Sequence, residues 1–193
     1  VALLFPLPLG FTLLIALHLA WGGVGLYRLL RAEGRGEGAA LLGALGFQLM
    51  PKLLAHYGAG HLTLLYAIPW TPWLLLAARK DGRRWLAGLV LAVIFLADPR
   101  WAAYAGLVWL GYIIAYRQET WREKAERIVS SLVVTVVLSA PLLLPLLDYA
   151  ARSTRSALSP DEVFSHSLPP AKLLGLLFPA AGGSAEWACY AGG

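Results

Sequence analysis

Six side chains stand out in this sequence as groups able to do chemistry within a largely apolar chain: His56, His61, Asp98, Arg100, Arg152 and Arg155. His56 and His61 flank Gly58 and Gly60, and glycines let backbone N–H groups approach an anion while an imidazole adds charge. Arg152 and Arg155 are spaced to share one face of a helical turn, where two guanidinium forks can grip a phosphate; a solvated loop is the plainer reading of the same stretch. Asp98 and Arg100 stand on either side of Pro99, so they either pair with each other across a turn or face a ligand together. The chemistry these groups share is the binding of a phosphate-bearing anion. As a zinc pair the two histidines lack a third ligand at suitable spacing. Phosphate-loop, nucleophile-elbow and zincin motifs are absent.

The elements that must position these groups are membrane helices. Hydrophobic residues make up 59% of the chain and charged residues only 14%, which excludes an ordinary soluble domain. The net charge of +5 is scattered between apolar runs instead of forming a patch, so it reads as membrane topology and not as a nucleic-acid surface. Cys189 is the only cysteine, so an intramolecular disulfide is excluded. The chain opens on Val1 and closes without a terminating element, and is expected to be a fragment. Its uncharged beginning, Val1 to Tyr27, reads as a span and not as a signal peptide.

The first span is expected over about Leu3 to Tyr27, followed by a basic glycine-rich loop, and His18 at mid-span reads as a packing residue or a functional one. A second span over about Ala39 to Ala55 should kink at Pro51. An irregular elbow from His56 to His61 leads to a third, Leu62 to Ala78, bent by Pro69 and Pro72 and ending in Arg79, Lys80, Arg83 and Arg84. Trp85–Ala97 and Trp101–Tyr116 are separated by Asp98-Pro99-Arg100. A helix over the first run rises only ~20 Å against a hydrocarbon core of ~30 Å. A hairpin with its tip at or just below the membrane surface is expected, the alternative being one kinked helix. The hairpin also places the basic stretch from Tyr116 to Arg127, read as an amphipathic surface helix, on the side of the other basic loops. A last span, Ile128 to Leu147, should end at Pro141 and Pro145. Beyond it, Ser159, Pro160 and Glu162 form a capping-box pattern and Ala171–Phe178 suits an interfacial segment.

The expected fold is therefore all-α: a polytopic integral membrane helical bundle of about six membrane helices including a short hairpin. Residues 1–147 form the bundle and 148–193 an extracytoplasmic loop with short surface helices. The lysine and arginine distribution puts the N-terminus outside and gathers the six candidate groups at the outer face.

The order of these features resembles YfhO-like bacterial membrane proteins and the wider GT-C superfamily of polytopic glycosyltransferases. The resemblance runs from the Gly60-His61 elbow through Trp70 to Trp73 and the Pro99 turn to the Leu168-Pro169-Pro170 and Phe178-Pro179 stretch. It implies an integral inner-membrane enzyme that transfers a sugar from a polyprenyl-phosphate donor at the outer face. An acidic residue acts as base in that family, often with a divalent metal, and the catalytic acidic loop would precede Val1. The implied partners are the bilayer and a lipid-phosphate-linked sugar, with no nucleic acid and no cofactor evident in this chain. The Asp98-Pro99-Arg100 turn departs from the His-Pro-Gln type associated with YfhO-like proteins, so the resemblance gives a site location and no catalytic residue. A transporter or flippase for a lipid-linked or anionic solute is the alternative, because transporters also use broken helices.

Overall fold

A computed structural model describes residues 6–79, 83–116, 118–153 and 159, and every regular element among them is helical. Helix α1 (Leu7–Ala32) starts after Pro6 and carries Pro8 in its first turn, where a missing N–H breaks no hydrogen bond. Helix α2 (Glu37–Gln48) stops short, and α3 (Pro51–Gly58) begins with proline at its first position. Met50 is extended, as the residue before a proline prefers, so the expected kink is a full break. The elbow is shorter than expected: His56 remains within α3, and the non-helical link is confined to Ala59, Gly60 at φ +72° and His61. Helix α4 (Leu62–Ala67), a 3₁₀ turn (Ile68–Trp70) and α5 (Thr71–Ala77) then form one bent rod, because Pro69 and Pro72 each remove a backbone donor.

Helices α6 (Leu86–Ala97) and α7 (Pro99–Gly111) are separate, parted by the extended Asp98 at φ −154°, ψ 107°. They fold back on each other: Leu91 lines a cavity together with Gly106, Trp109 and Leu110, which a continuous rod could not bring together. The hairpin reading is therefore the observed one. A π-helical segment (Tyr112–Tyr116) follows α7, and α8 (Trp121–Arg152) completes the described chain.

Two expectations about α8 are corrected. It runs straight through Pro141 and Pro145 instead of ending there. Each proline removes one bond of the ladder, and in an otherwise apolar membrane helix the remaining bonds hold. The basic stretch is also not a separate amphipathic surface helix. Its later part forms the first turns of α8, and the buried residues are Lys124, Arg127, Ser131, Thr135 and Ser139, a polar stripe at helical spacing. Trp121, Val129, Val133 and Val136 are exposed. In lipid the outward face is the apolar one, so the side that packs is free to be polar.

The chain divides into two compact units, Val1–Leu49 with His61–Ser139, and Met50–Gly60 with Ala140–Gly193. In the first, the core gathers Leu74, Ala78, Ala87, Ile94, Ala105, Trp109 and Ile113 from α5, α6, α7 and the π segment. The described part of the second consists of α3 with its turn and the end of α8. Leu7–Ala32, Glu37–Gly58 taken through its break, and Trp121–Arg152 are long and apolar enough to cross a membrane; Leu62–Ala77 and Leu86–Ala97 are shorter apolar stretches.

Helices α6 and α8 approach backbone to backbone. A Cβ on Gly88 would stand 2.8 Å from Ser131 Cα, and the Thr135 hydroxyl donates to the Gly88 carbonyl at 3.0 Å. Gly88→Val should therefore destabilise the detergent-solubilised protein by about 1–3 kcal/mol, since the obstacle is backbone and cannot rotate away. Gly106→Ala, which meets nothing within 4 Å, should raise stability by about 0.5–1 kcal/mol. Thermal unfolding of the two variants checks both signs; equal effects would mean that α6 and α8 are not in close contact.

Candidate functional site

The joint between α6 and α7 is built by one carboxylate. Asp98 is 2% exposed. Its Oδ1 accepts from the backbone N–H of Arg100 at 2.9 Å and of Trp101 at 3.1 Å, which caps α7. Its Oδ2 accepts from the Thr63 hydroxyl at 2.8 Å, joining the start of α4 to the hairpin tip. The Arg100 guanidinium completes the shell, with Nε 3.2 Å from Oδ1 and Nη2 2.8 Å from Oδ2. Asp98 lies between the two apolar helices and not within either. Burial alone would raise its pKa, but the hydrogen bonds from Arg100, Thr63 and Trp101 and the charge of Arg100 outweigh burial. They hold the carboxyl below the usual carboxylate range.

Arg100 is held on one edge only. Nε and Nη2 face the carboxylate, the side chain is 70% exposed, and the N–H groups of Nη1 stay available for a second anion. His61, two residues before Thr63, is the N-cap residue of α4 and so stands at this same end of the first unit. The structure thus gathers Asp98, Arg100 and the His61–Thr63 segment. His56 belongs to the second unit, in the last turn of α3. Arg152 also belongs to the second unit, at the end of α8, where its Nη2 meets Asp148 Oδ1 at 2.9 Å in an exposed pair one turn apart. Arg155 lies outside the described residues. Among the described residues, no group of three or more His, Cys, Asp or Glu is placed to hold a metal ion.

The cations at the other end of the first unit are differently engaged. Arg79 Nη1 meets Glu33 Oε1 at 2.8 Å, and the Tyr112 hydroxyl donates to the same oxygen at 2.5 Å. Arg127 and Glu119, with side chains 3% and 2% exposed, pair at 2.7 Å, and Arg127 Nη1 also donates to the Arg79 carbonyl at 3.2 Å. Lys124 donates to the Ile114 carbonyl of the π segment at 2.7 Å, and Arg84 pairs with Glu126. These contacts tie α1, α5, the π segment and α8 together. Glu33 and Glu126 escaped sequence reasoning because their partners are remote in the chain: Arg79 and Glu33 are 46 residues apart, and Arg84 and Glu126 are 42 apart. The Asp98 cap had a legible signal, an aspartate directly before a proline at the first helical position.

Asp98→Ala removes both the cap and the acceptor of Thr63, and should cost about 1–3 kcal/mol of stability. Arg100→Ala should cost less than ~1 kcal/mol, because its pair is open to solvent. The folded carboxyl titrates below its unfolded value of ~3.9, so the contribution of Asp98 is complete above that pH and is lost as pH falls through the folded value. Thermal unfolding of both variants at neutral pH, and of the parent across an acid series, reads these effects.

Sequence comparison gives the chain a family. Residues 1–185 match the family described as "Predicted membrane protein (DUF2079)". No curated protein and no solved structure matches the chain. The match spans nearly all of the sequence and agrees with the apolar, entirely helical architecture of the described residues, and the chain belongs to the DUF2079 family of predicted membrane proteins.

Proposed function

We propose that this chain is part of a GT-C-type membrane glycosyltransferase that takes a sugar from a polyprenyl-phosphate-linked donor at the outer face of the inner membrane. The N-terminus lies outside in this reading. The observation that carries it is the Asp98–Arg100 turn: a buried, fully bonded carboxylate holds an exposed guanidinium at one end of an apolar bundle, while Arg79 and Arg127 at the other end are bonded to buried or half-buried acids. An arginine clamped on one edge presents its other edge without reorganising, which suits a phosphate near a membrane surface. His61, on the neighbouring segment, is the second group expected to contact it. Asp98 has a positioning role; His56, Arg152 and Arg155 are separate candidates for the same anion chemistry. A divalent metal would serve at the catalytic acids and not at this turn.

One observation favours transport of a lipid-linked or anionic solute instead. Helix α2 breaks at Leu49–Met50 within an apolar run, directly after Gln48, and broken helices line transport sites.

Turnover of a polyprenyl-phosphate sugar decides between them. A charge-assisted hydrogen bond lost from the phosphate is worth ~1.5–3 kcal/mol, so Arg100→Ala should slow sugar transfer by about tenfold to a hundredfold. Arg100→Lys should fall between the two, since it keeps charge and loses the fork. Unchanged turnover in Arg100→Ala, Arg152→Ala and Arg155→Ala alike would remove the phosphate from all three arginines. Solute flux across vesicles without sugar transfer would establish the transporter.

A further inference from the structure

An aromatic-walled cleft opens between α1 and the 3₁₀ turn, lined by Leu14, Leu17, His18, Trp21 and Trp70, with a volume of about 260 Å³. We propose that it receives the isoprenoid chain of a prenyl phosphate, at the units nearest the phosphate; this rests on the glycosyl-transfer reading and adds to it the site of the chain.

Position is the first argument. Thr63 binds Asp98 directly, and the Trp101 indole in the first turn of α7 donates to Thr71 Oγ1 at 2.9 Å. Trp70 adjoins Thr71, and from Thr63 to Trp70 the chain climbs about 10 Å at helical rise. The cleft therefore begins about two helical turns along the bundle from the exposed Arg100. A lipid whose phosphate meets Arg100 has the start of its chain at that depth.

Rigidity is the second. The Trp21 ring stacks on Trp73 at 4.1 Å and 16°, and meets Trp70 edge-on at 5.5 Å. Trp73 Nε1 donates to the Trp21 carbonyl at 3.0 Å, and the Arg28 guanidinium stands 5.5 Å from the Trp73 ring centre. His18 is fixed as well: a carbonyl only accepts, so Nδ1 carries the proton it gives to Leu14 O at 2.8 Å, and the ring leans on Tyr66 at 4.9 Å. At Gly22 a Cβ would stand 2.9 Å from Pro69 Cα, so the two walls meet at their base and cannot close further. Walls that neither collapse nor adapt favour a chain with few rotors to freeze. One backbone bond in four of a prenyl chain is a fixed double bond, so it has fewer rotors to freeze per length, and its methyl branches press on indole faces, whereas a saturated acyl chain loses more rotational freedom on entering.

The experiment compares two lipid phosphates on the protein in nanodiscs: a polyprenyl monophosphate and a saturated phosphatidic acid, with bound lipid read by native mass spectrometry. The parent should prefer the prenyl phosphate about tenfold. Trp70→Ala should abolish that preference while leaving phosphatidic acid binding unchanged. Leu17→Trp should do the same by filling the cleft from a side chain that is 60% exposed, so it tests the site even if Trp70→Ala fails to fold. Arg100→Ala should weaken both lipids equally. A parent without the preference, or a preference that survives Leu17→Trp, overturns the cleft assignment and leaves the phosphate site standing. A parent that binds neither lipid phosphate overturns the glycosyl-transfer reading and the cleft with it.

Discussion

The first unit depends on how a buried carboxylate is satisfied inside an apolar bundle. An isolated ionised carboxylate in such surroundings is prohibitively costly, so Asp98 exists only because two backbone N–H groups, a threonine hydroxyl and a guanidinium converge on it. Those same bonds end α6, begin α7 and attach α4. Removing the charge therefore loosens three elements at once, while removing Arg100 leaves the cap and the hydroxyl bond in place. The turn separates its two roles by residue: Asp98 carries structure, and Arg100 faces outward.

The opposite end is closed by a different logic. Arg127 lies within α8's polar stripe, and it bonds both to Glu119 and to the Arg79 carbonyl that ends the α4–α5 rod. Further along the stripe, Ser131 donates to the Arg84 carbonyl and Thr135 to that of Gly88. Arg84 lies just before α6 and Gly88 in its first turn, so both hydroxyls join α8 to the start of α6. Helix α8 thus packs by hydrogen bonds and glycine contact, in keeping with a membrane protein, where apolar burial between helices gains little over lipid.

Much of this was legible in the sequence, and the parts that were not share a cause. Pro99 with two short apolar runs announced the hairpin, and Pro69 with Pro72 announced the bend, because proline acts locally whatever surrounds it. Gly58 and Gly60 suggested a longer elbow than the chain uses; His56 stays helical, since Gly58 is accommodated in the last turn of α3. Pro141 and Pro145 suggested an end that a long helix in lipid does not need. The face of α8 that packs was not legible, because periodicity shows that two faces differ without showing which one meets protein. Of the candidate site, Asp98 and Arg100 were singled out from their spacing around Pro99, with pairing across the turn as one of two readings. Thr63 was not, because its bond to Asp98 bridges 35 residues and no local pattern marks it.

The shortness of α6 bears on how the hairpin enters lipid. Helix α6, with 12 residues, rises about 18 Å, short of a hydrocarbon core of ~30 Å, so it does not cross as an independent span. It enters lipid together with α7 as a hairpin. The ions at the tip are Asp98 and Arg100, joined to each other, so the turn presents a neutral unit to the lipid and not two separate charges. The ion pair that fixes the turn thereby also lowers the cost of lodging it among apolar helices.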